Sequence, residues 1–380
     1  MKKKVLAASW HPGGINSIIP VIKRLSEEKK AEVVTIGHQY SEKILDAANM
    51  DYLTVHDYGL ADASYGSMEK VLSQEAPDLV LTGTSSQDDS NRDVLEQTLT
   101  LAAREKPIPS LAVFDFWANY SMRFDDIYTG EKFKFLPDRI AIMDQYAEKA
   151  MLDEGFEKER LVITGNPHFD DLEAKAKSFS ERDKQDINER IGLKSKLMVF
   201  YAANAWKKDK AGCGYWDLDN IILIDETISG LPGNQKQKAG LVIKLHPRTP
   251  GGDVEEIRDY LKSSQSNPSI VADIGTQQLV LASDLTLTSN STVGIEAVYM
   301  GKPCISIQPG LKGKDFLSIL TKNNIIPFGY TGQDCRSLIR EAIVNDTYRN
   351  KELIEKASGF RTDGKATERV TQLVYQMLSC

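Results

Sequence analysis

Ser283-Asp284-Leu285-Thr286-Leu287-Thr288-Ser289-Asn290-Ser291-Thr292-Val293-Gly294-Ile295-Glu296-Ala297, continued by Gly301-Lys302-Pro303 and Cys304-Ile305-Ser306-Ile307, is the stretch that decides the fold. Two apolar, β-biased runs flank a helical segment, so the order reads strand, hydroxyl-rich turn, helix, strand. The turn offers Ser289, Ser291 and Thr292 beside backbone N–H groups that have no partner inside a helix, which makes it a seat for an anion. Upstream, Leu241-Val242-Ile243-Lys244-Leu245 is another buried-strand pattern, and it delivers His246-Pro247-Arg248 to a strand's C-terminal end, where open α/β sheets bind ligands. A phosphate held between these two loops is the expectation. Each motif has a plainer reading, since His-Pro also ends a strand and Ser or Thr also caps a helix; their combination points to a site. Glu296 lies four residues beyond Thr292, one helical turn along the same face. It is either a ligand group or a first-turn carboxylate steadied by the helix dipole.

Working outward, the first half alternates β-rich runs with helical periodicity. Val5 to Ala8, Ala31 to Gly37, Leu79 to Thr82, Ser110 to Phe114, Arg139 to Met143 and Arg160 to Ile163 read as strands, with helices near 15–28, 41–50, 93–104 and 145–154. This is the parallel βαβ rhythm. After Thr164-Gly165-Asn166-Pro167 the composition turns highly charged from Asp170 to Lys196, and a second βαβ series follows through Leu197 to Tyr201, Leu241 to Leu245, Ser269 to Val271, Leu285 to Leu287 and Cys304 to Ile307. The expected fold is α/β, two Rossmann-like doubly wound parallel-sheet domains facing a cleft. Residues 1–168 form the first domain, 169–195 a linker or helix, and 196–380 the second, with the last helix free to pack back on the first. The stretch 233–240 reads as a surface loop.

Composition agrees. A chain of 380 residues with 41% hydrophobic content can bury a large core and exceeds one ordinary compact domain. Its net charge of −7 comes from 54 acidic and 47 basic residues scattered along the chain, and the only basic run is Lys2-Lys3-Lys4, so nucleic acid is not an expected partner. No apolar run approaches the ~18 residues of a membrane span, and a strand begins too early for a signal peptide, so a cytoplasmic protein is expected. Cys213, Cys304, Cys335 and Cys380 are widely spaced with no His at ligand distance, which predicts reduced, packing thiols and no metal site.

In the first domain, Ser9-Trp10-His11-Pro12-Gly13-Gly14-Ile15-Asn16 joins strand one to helix one, where paired glycines allow close backbone approach. Gly13, Gly14, Asn16 and His11 are candidates to line the site; a plain glycine turn is the alternative. Thr82-Gly83-Thr84-Ser85-Ser86-Gln87-Asp88-Asp89 ends another strand, and Asp88 or Asp89 is either a general base or a helix cap. Asp115, Trp117, Asn119, Tyr120 and Arg123 follow the strand ending at Phe114. Asp115 stands immediately outside a carboxyl end, as a base candidate, with Trp117 and Arg123 as acceptor-binding groups or as parts of a packed loop. The Asn204-Ala205-Trp206-Lys207-Lys208 loop brings Asn204 and Lys207 as further phosphate partners.

Together these residues resemble the GT-B glycosyltransferase superfamily over essentially the whole chain. His246-Pro247 with the Ser/Thr turn is similar to bacterial capsule transferases using CMP-activated Kdo or sialic acid and to CDP-glycerol polymerases. The Thr164-Gly165-Asn166-Pro167 element and Glu296 look more like UDP-sugar enzymes, the MurG-type N-acetylglucosaminyltransferases and UDP-N-acetylglucosamine 2-epimerases, in which the matching glutamate receives the ribose hydroxyls. The resemblance implies a transferase moving a sugar from a UDP- or CMP-linked donor to an acceptor hydroxyl in surface-polysaccharide assembly. The donor is held by the second domain, the acceptor by the first, and domain closure assembles the site. No cofactor is implied, and no Asp-x-Asp pair suggests a metal, so His246, Arg248, Ser289, Ser291 and Thr292 are the expected fixed donors to the departing phosphate. A 2-epimerase is the rival. Its Gly-Thr-Arg-Pro-Glu element is replaced here by Ser9 to Gly14, and its His-Arg-Arg-Glu-Asn segment by Asn204 to Lys208. A non-catalytic nucleotide-sugar-binding protein is the third reading. A lipid-linked acceptor would bring the chain to a membrane surface, although no clear basic amphipathic helix supports that contact.

Overall fold

The computed structural model describes residues 2–88, 91–233, 238–360 and 363–379. These divide into two compact units, residues 2–171 with the terminal helix Ala366–Ser379, and residues 172–360.

The first unit is built on seven parallel strands, β1 (Lys3–Ser9), β2 (Ala31–Gly37), β3 (Leu53–Thr54), β4 (Leu79–Thr82), β5 (Ser110–Val113), β6 (Arg139–Ile142) and β7 (Leu161–Ile163), in the order β3-β2-β1-β4-β5-β6-β7. Alternation along these strands feeds two cores. Val5, Ala7, Leu79 and Leu81 face one side with Ile15, Ile18 and Val370, while Leu6, Ala8 and Val80 face the other with Met68, Leu95 and Leu99. Burial on both faces explains why the strands read as continuous apolar runs. The terminal helix belongs to the first of these cores. Its first turn is fixed by Asp170, whose carboxylate accepts the N–H of Ala366 (3.0 Å) and Thr367 (2.6 Å).

The second unit has six parallel strands, β8 (Leu197–Ala202), β9 (Ala239–Lys244), β10 (Ser269–Ile270), β11 (Leu285–Thr288), β12 (Cys304–Ile307) and β13 (Phe328–Gly329), in the order β10-β9-β8-β11-β12-β13. Both sheets are therefore doubly wound, as the sequence predicts. Strand order reverses between β1 and β4 in one and between β8 and β11 in the other, and the loops leaving these strands are where such sheets open a crevice.

Three features refine the sequence reading. β3 and β13 are two-residue strands, too short to show a pattern. The charged stretch after 169 forms two helices, Asp170–Ser178 and Glu181–Ile191, the second with Ser180 and Asp183 in a reciprocal capping box and Gly192 in the left-handed conformation (φ 72°) at its end. Each buries a narrow stripe, Leu172 in one and Ile187 in the other, so most of their surface stays charged. The stretch 233–240 runs into β9 at Ala239, with 234–237 outside the described residues. Among the described residues no helix is long and apolar enough to cross a membrane, and Cys213, Cys304 and Cys335 are free thiols.

Candidate functional site

Register places the first unit's loops side by side. Ala8 pairs with Thr82 and Thr82 with Ala112, so Ser9-Trp10-His11, Gly83-Thr84-Ser85 and Phe114-Asp115 leave the sheet at one level. His11 is the N-cap of helix Pro12–Glu28, and its Nδ1 accepts the Gly13 N–H at 3.4 Å. With Nδ1 accepting, the neutral ring carries its proton on Nε2. The loops around it lower its pKa, chiefly by desolvation; Asp115 opposes this and Arg123 adds to it. Asp115 forms an ion pair with Arg123, and its Oδ1 also meets the Thr84 hydroxyl at 3.3 Å. Arg123 donates to Thr84 Oγ1 (2.7 Å) and lies 4.5 Å from the Phe114 ring centroid. The close approach permitted by the glycines is made by the protein's own atoms. A methyl on Gly13 would fall on the Asp115 carboxylate, and one on Gly14 would sit 2.5 Å from Ser9 Oγ and 3.1 Å from the Thr84 nitrogen. Asn16 follows, half-buried, at the start of the second helical turn. Asn166 braces the cluster, donating to the Asp115 carbonyl (2.9 Å) and accepting from Ser17 (3.2 Å).

Other first-unit candidates make contacts of their own. Trp117 is buried at 6% exposure, donates to Asp144 (2.8 Å) and stacks on Phe169, as the packed-loop reading has it. Asp88 is exposed and accepts the Asn91 N–H (2.8 Å) in a tight turn. Asp89 lies outside the described residues.

In the second unit Ala202 is registered with both Lys244 and Thr288, so Ala203-Asn204, Leu245-His246 and Ser289-Asn290 also emerge together. The Asn204 amide reaches the Asn290 carbonyl (3.4 Å), linking the two loops at the strand-order reversal. His246 Nδ1 accepts the Arg248 N–H (3.1 Å), leaving Nε2–H as a donor in the neutral ring. Partial burial and then Arg248 lower its pKa. Trp206 stands beside it, ring to ring at 5.9 Å, with Arg248 and Lys208 at 5.8 and 4.9 Å from the Trp206 centroid. Ser289 is buried and donates to Asn290 Oδ1 (2.9 Å), whereas Ser291 accepts from the Val293 N–H (3.3 Å) and Thr292 is exposed. Helix Val293–Tyr299 has only seven residues, so the polarity of this turn comes from its local N–H groups and hydroxyls. Gly294 lets it sit against β11, where a methyl would lie 3.0 Å from Thr288 Cγ2. Glu296 follows at intermediate exposure. Lys207 turns aside, its ammonium paired with Glu256 (2.5 Å) and its N–H donated to Asp253 (3.0 Å). A cavity of about 600 Å³ opens among Asn204, Trp206, Lys208, Cys213, Asn290 and Phe316.

Two buried acids hold these loops, and sequence reasoning passed over both. Glu96 accepts from Ser9, Trp10 and Ser85 in the first unit, and Asp217 accepts from the N–H groups of Asn204 and Ala205 (both 3.0 Å) and from Tyr201 (2.8 Å) in the second. Burial lifts Asp217 to about 6. Among the described residues no cluster of His, Cys, Asp and Glu is suited to a metal ion.

Residues 144–376, more than half of the chain, match the sequence model of the CDP-glycerol:poly(glycerophosphate) glycerophosphotransferase family. The chain belongs to that family. The match begins just after β6 and takes in every strand of the second unit. As a glycerophosphotransferase-family member it also shares its fold with solved nucleotide-sugar enzymes. A UDP-GlcNAc 2-epimerase from Neisseria meningitidis bound to UDP-GlcNAc is 16% identical over 98% of this chain and 100% of its own, with a TM-score of 0.72. The S. aureus MnaA–UDP structure is 18% identical over 99% and 97%, TM-score 0.68. Anabaena HepE in complex with UDP and glucose is 12% identical over 99% of both chains, TM-score 0.64. At these identities the likeness is one of fold, and that fold is GT-B. No curated protein matches the sequence.

Proposed function

We propose that this family member is a transferase that takes CDP-glycerol, or a closely related CDP-linked polyol, and passes the polyol phosphate to an acceptor hydroxyl of a surface polymer. The observation that supports it is that the family-matching stretch contains the whole edge on which His246, Arg248, Ser291 and Thr292 emerge. In this reading the acceptor oxygen attacks the β-phosphorus, the bond from that phosphorus to the bridging oxygen breaks, and CMP leaves. The second unit holds the nucleotide. Arg248 and the His246 Nε2–H meet the pyrophosphate, the Ser291–Thr292 turn donates to the same anion, and Glu296 receives the ribose. These fixed donors carry the developing charge in a metal-independent reaction. In the first unit, Asp115 takes the acceptor's proton, since Arg123 and Thr84 both occupy its Oδ1, and His11 donates from Nε2.

Glycosyl transfer from a UDP- or CMP-sugar would use the same seat with the bond broken at the anomeric carbon. The test is incubation with CDP-glycerol and a glycerophosphate-primed acceptor, following CMP release and acceptor mass, with UDP-GlcNAc and CMP-sugars in parallel. Growth of the acceptor by glycerophosphate steps is expected. Growth by sugar units from a UDP- or CMP-sugar, or conversion of UDP-GlcNAc to its 2-epimer, would replace this reading with glycosyl transfer or epimerisation.

A further inference from the structure

We propose that Glu96 is the positioning residue of the first unit's site: a buried carboxyl that ties the loop carrying His11 to the loop carrying Thr84 and so fixes His11 beside Asp115. Glu96 stands in the first turn of helix Leu95–Glu105 and is 3% exposed. One of its oxygens, Oε1, accepts three hydrogen bonds, from Ser9 Oγ at 2.6 Å, Ser85 Oγ at 2.8 Å and the Trp10 N–H at 3.0 Å. Two of these donors belong to the chain entering helix Pro12–Glu28, the third to the loop leaving β4. His11 is the residue after Trp10, and Thr84 is the residue before Ser85. Thr84 in turn receives Arg123 and meets Asp115. Displacement of the clamp therefore reaches both ends of the His11–Asp115 pair.

Close packing holds the same loops from the other side. Ser9 Oγ lies where a methyl on Gly14 (2.5 Å) or on Gly83 (2.7 Å) would have to go, so the hydroxyl is wedged between two glycines whose backbones touch. An apolar side chain at 96 would strand three buried donors. The second oxygen of Glu96 is buried without a hydrogen-bond partner, so a glutamine keeps the shape and the accepting Oε1 and exchanges one unpartnered polar atom for another. The proposal needs the acceptor site to be in the first unit and so rests on the function proposed above.

The chain has five histidines, few enough to follow each imidazole by NMR titration of the full-length protein, with His11 assigned through His11→Gln. The charged groups facing His11 are Asp115 and Arg123. Glu96→Gln should leave its midpoint in place, whereas Glu96→Ala should raise it toward the ordinary value, with His246 unmoved as the internal control. In the CMP-release assay Glu96→Ala should lower kcat about 10–100-fold at unchanged donor KM, and Glu96→Gln should restore it to within about 3-fold. Should Glu96→Ala not fold, Ser9→Ala and Ser85→Ala each remove one arm and should shift His11 in the same sense. An unmoved His11 in every variant that folds overturns the clamp, as does a Glu96→Gln that behaves like Glu96→Ala. Absence of CMP release in the parent protein would count against the proposed function alone, because the titration is independent of it.

Discussion

The two strand-order reversals of this molecule are built alike and filled differently. In the first unit, between β1 and β4, Gly14 and Gly83 meet backbone to backbone, Asp115 and Arg123 neutralise each other, and the void against Glu96 is about 10 Å³. In the second, between β8 and β11, the loops are joined by one amide contact, and a cavity of about 600 Å³ opens beside Trp206 and Asn290. A buried acid holds the loop in each case, but Glu96 reaches across two loops, whereas Asp217 holds the loop leading into its own helix. The lesson is a division of labour. The first reversal is filled by its own backbone and side chains, and the second leaves an open cavity.

The sharpest way to break this contrast is to add one methyl to each side. Gly83→Ala would place Cβ 2.6 Å from Gly14 Cα, a clash with backbone that no rotamer relieves, and should cost about 3 kcal/mol or more in urea unfolding. At Gly212, in the second unit, an added methyl would have nothing within 4 Å, and Gly212→Ala should change stability by less than about 0.5 kcal/mol. Equal costs would mean that the first reversal is no tighter than the second.

Asp217 gives the next effect. Burial raises its pKa from 3.8 to about 6, so the folded state binds this proton more tightly than the unfolded chain does. Its contribution is most favourable below about pH 4 and is lost as pH rises toward about 6, a span on the order of 3 kcal/mol. Asp217→Asn should remove that downward slope from the pH dependence of unfolding. Persistence of the slope would place its origin in another group.

His246→Ala should weaken nucleotide binding about 10- to 100-fold and leave unfolding nearly unchanged, because the ring is only half-buried and its one hydrogen bond is to its own loop. Lys207→Ala should be the smallest, below about 0.5 kcal/mol in stability and near-neutral for binding, since its ammonium is held in an exposed pair with Glu256.

Much of this was legible in the sequence for a physical reason. Strands buried on both faces are short apolar runs, so β11 and β12 and the turn between them stood out, and with them the positions of His246 and Asp115 at carboxyl ends. What stayed hidden depends on tertiary burial. Glu96 looks like an ordinary first-turn acid, yet its helix is buried from Leu95 to Thr100; the apolar and hydroxyl residues on every side were the available signal. Asp217 is masked in the same way, as one of two acids at a helix start, until Tyr201 and the two loop N–H groups are seen to converge on it. Trp117 fits both an acceptor-binding group and a packed loop in the sequence, and its bond to Asp144 and the stacked Phe169 are visible only in the fold. Trp206 was visible in its loop, but its place against His246 follows from β8 and β9 being neighbours.

If the second unit holds the donor nucleotide as proposed, thermal unfolding with CDP-glycerol, CMP, CDP, UDP and UDP-GlcNAc will show it. Stabilisation by the cytidine compounds is expected, lost in both His246→Ala and Glu296→Ala and retained in His11→Gln. Stabilisation that survives both second-unit substitutions, or that disappears only with His11→Gln, would contradict it.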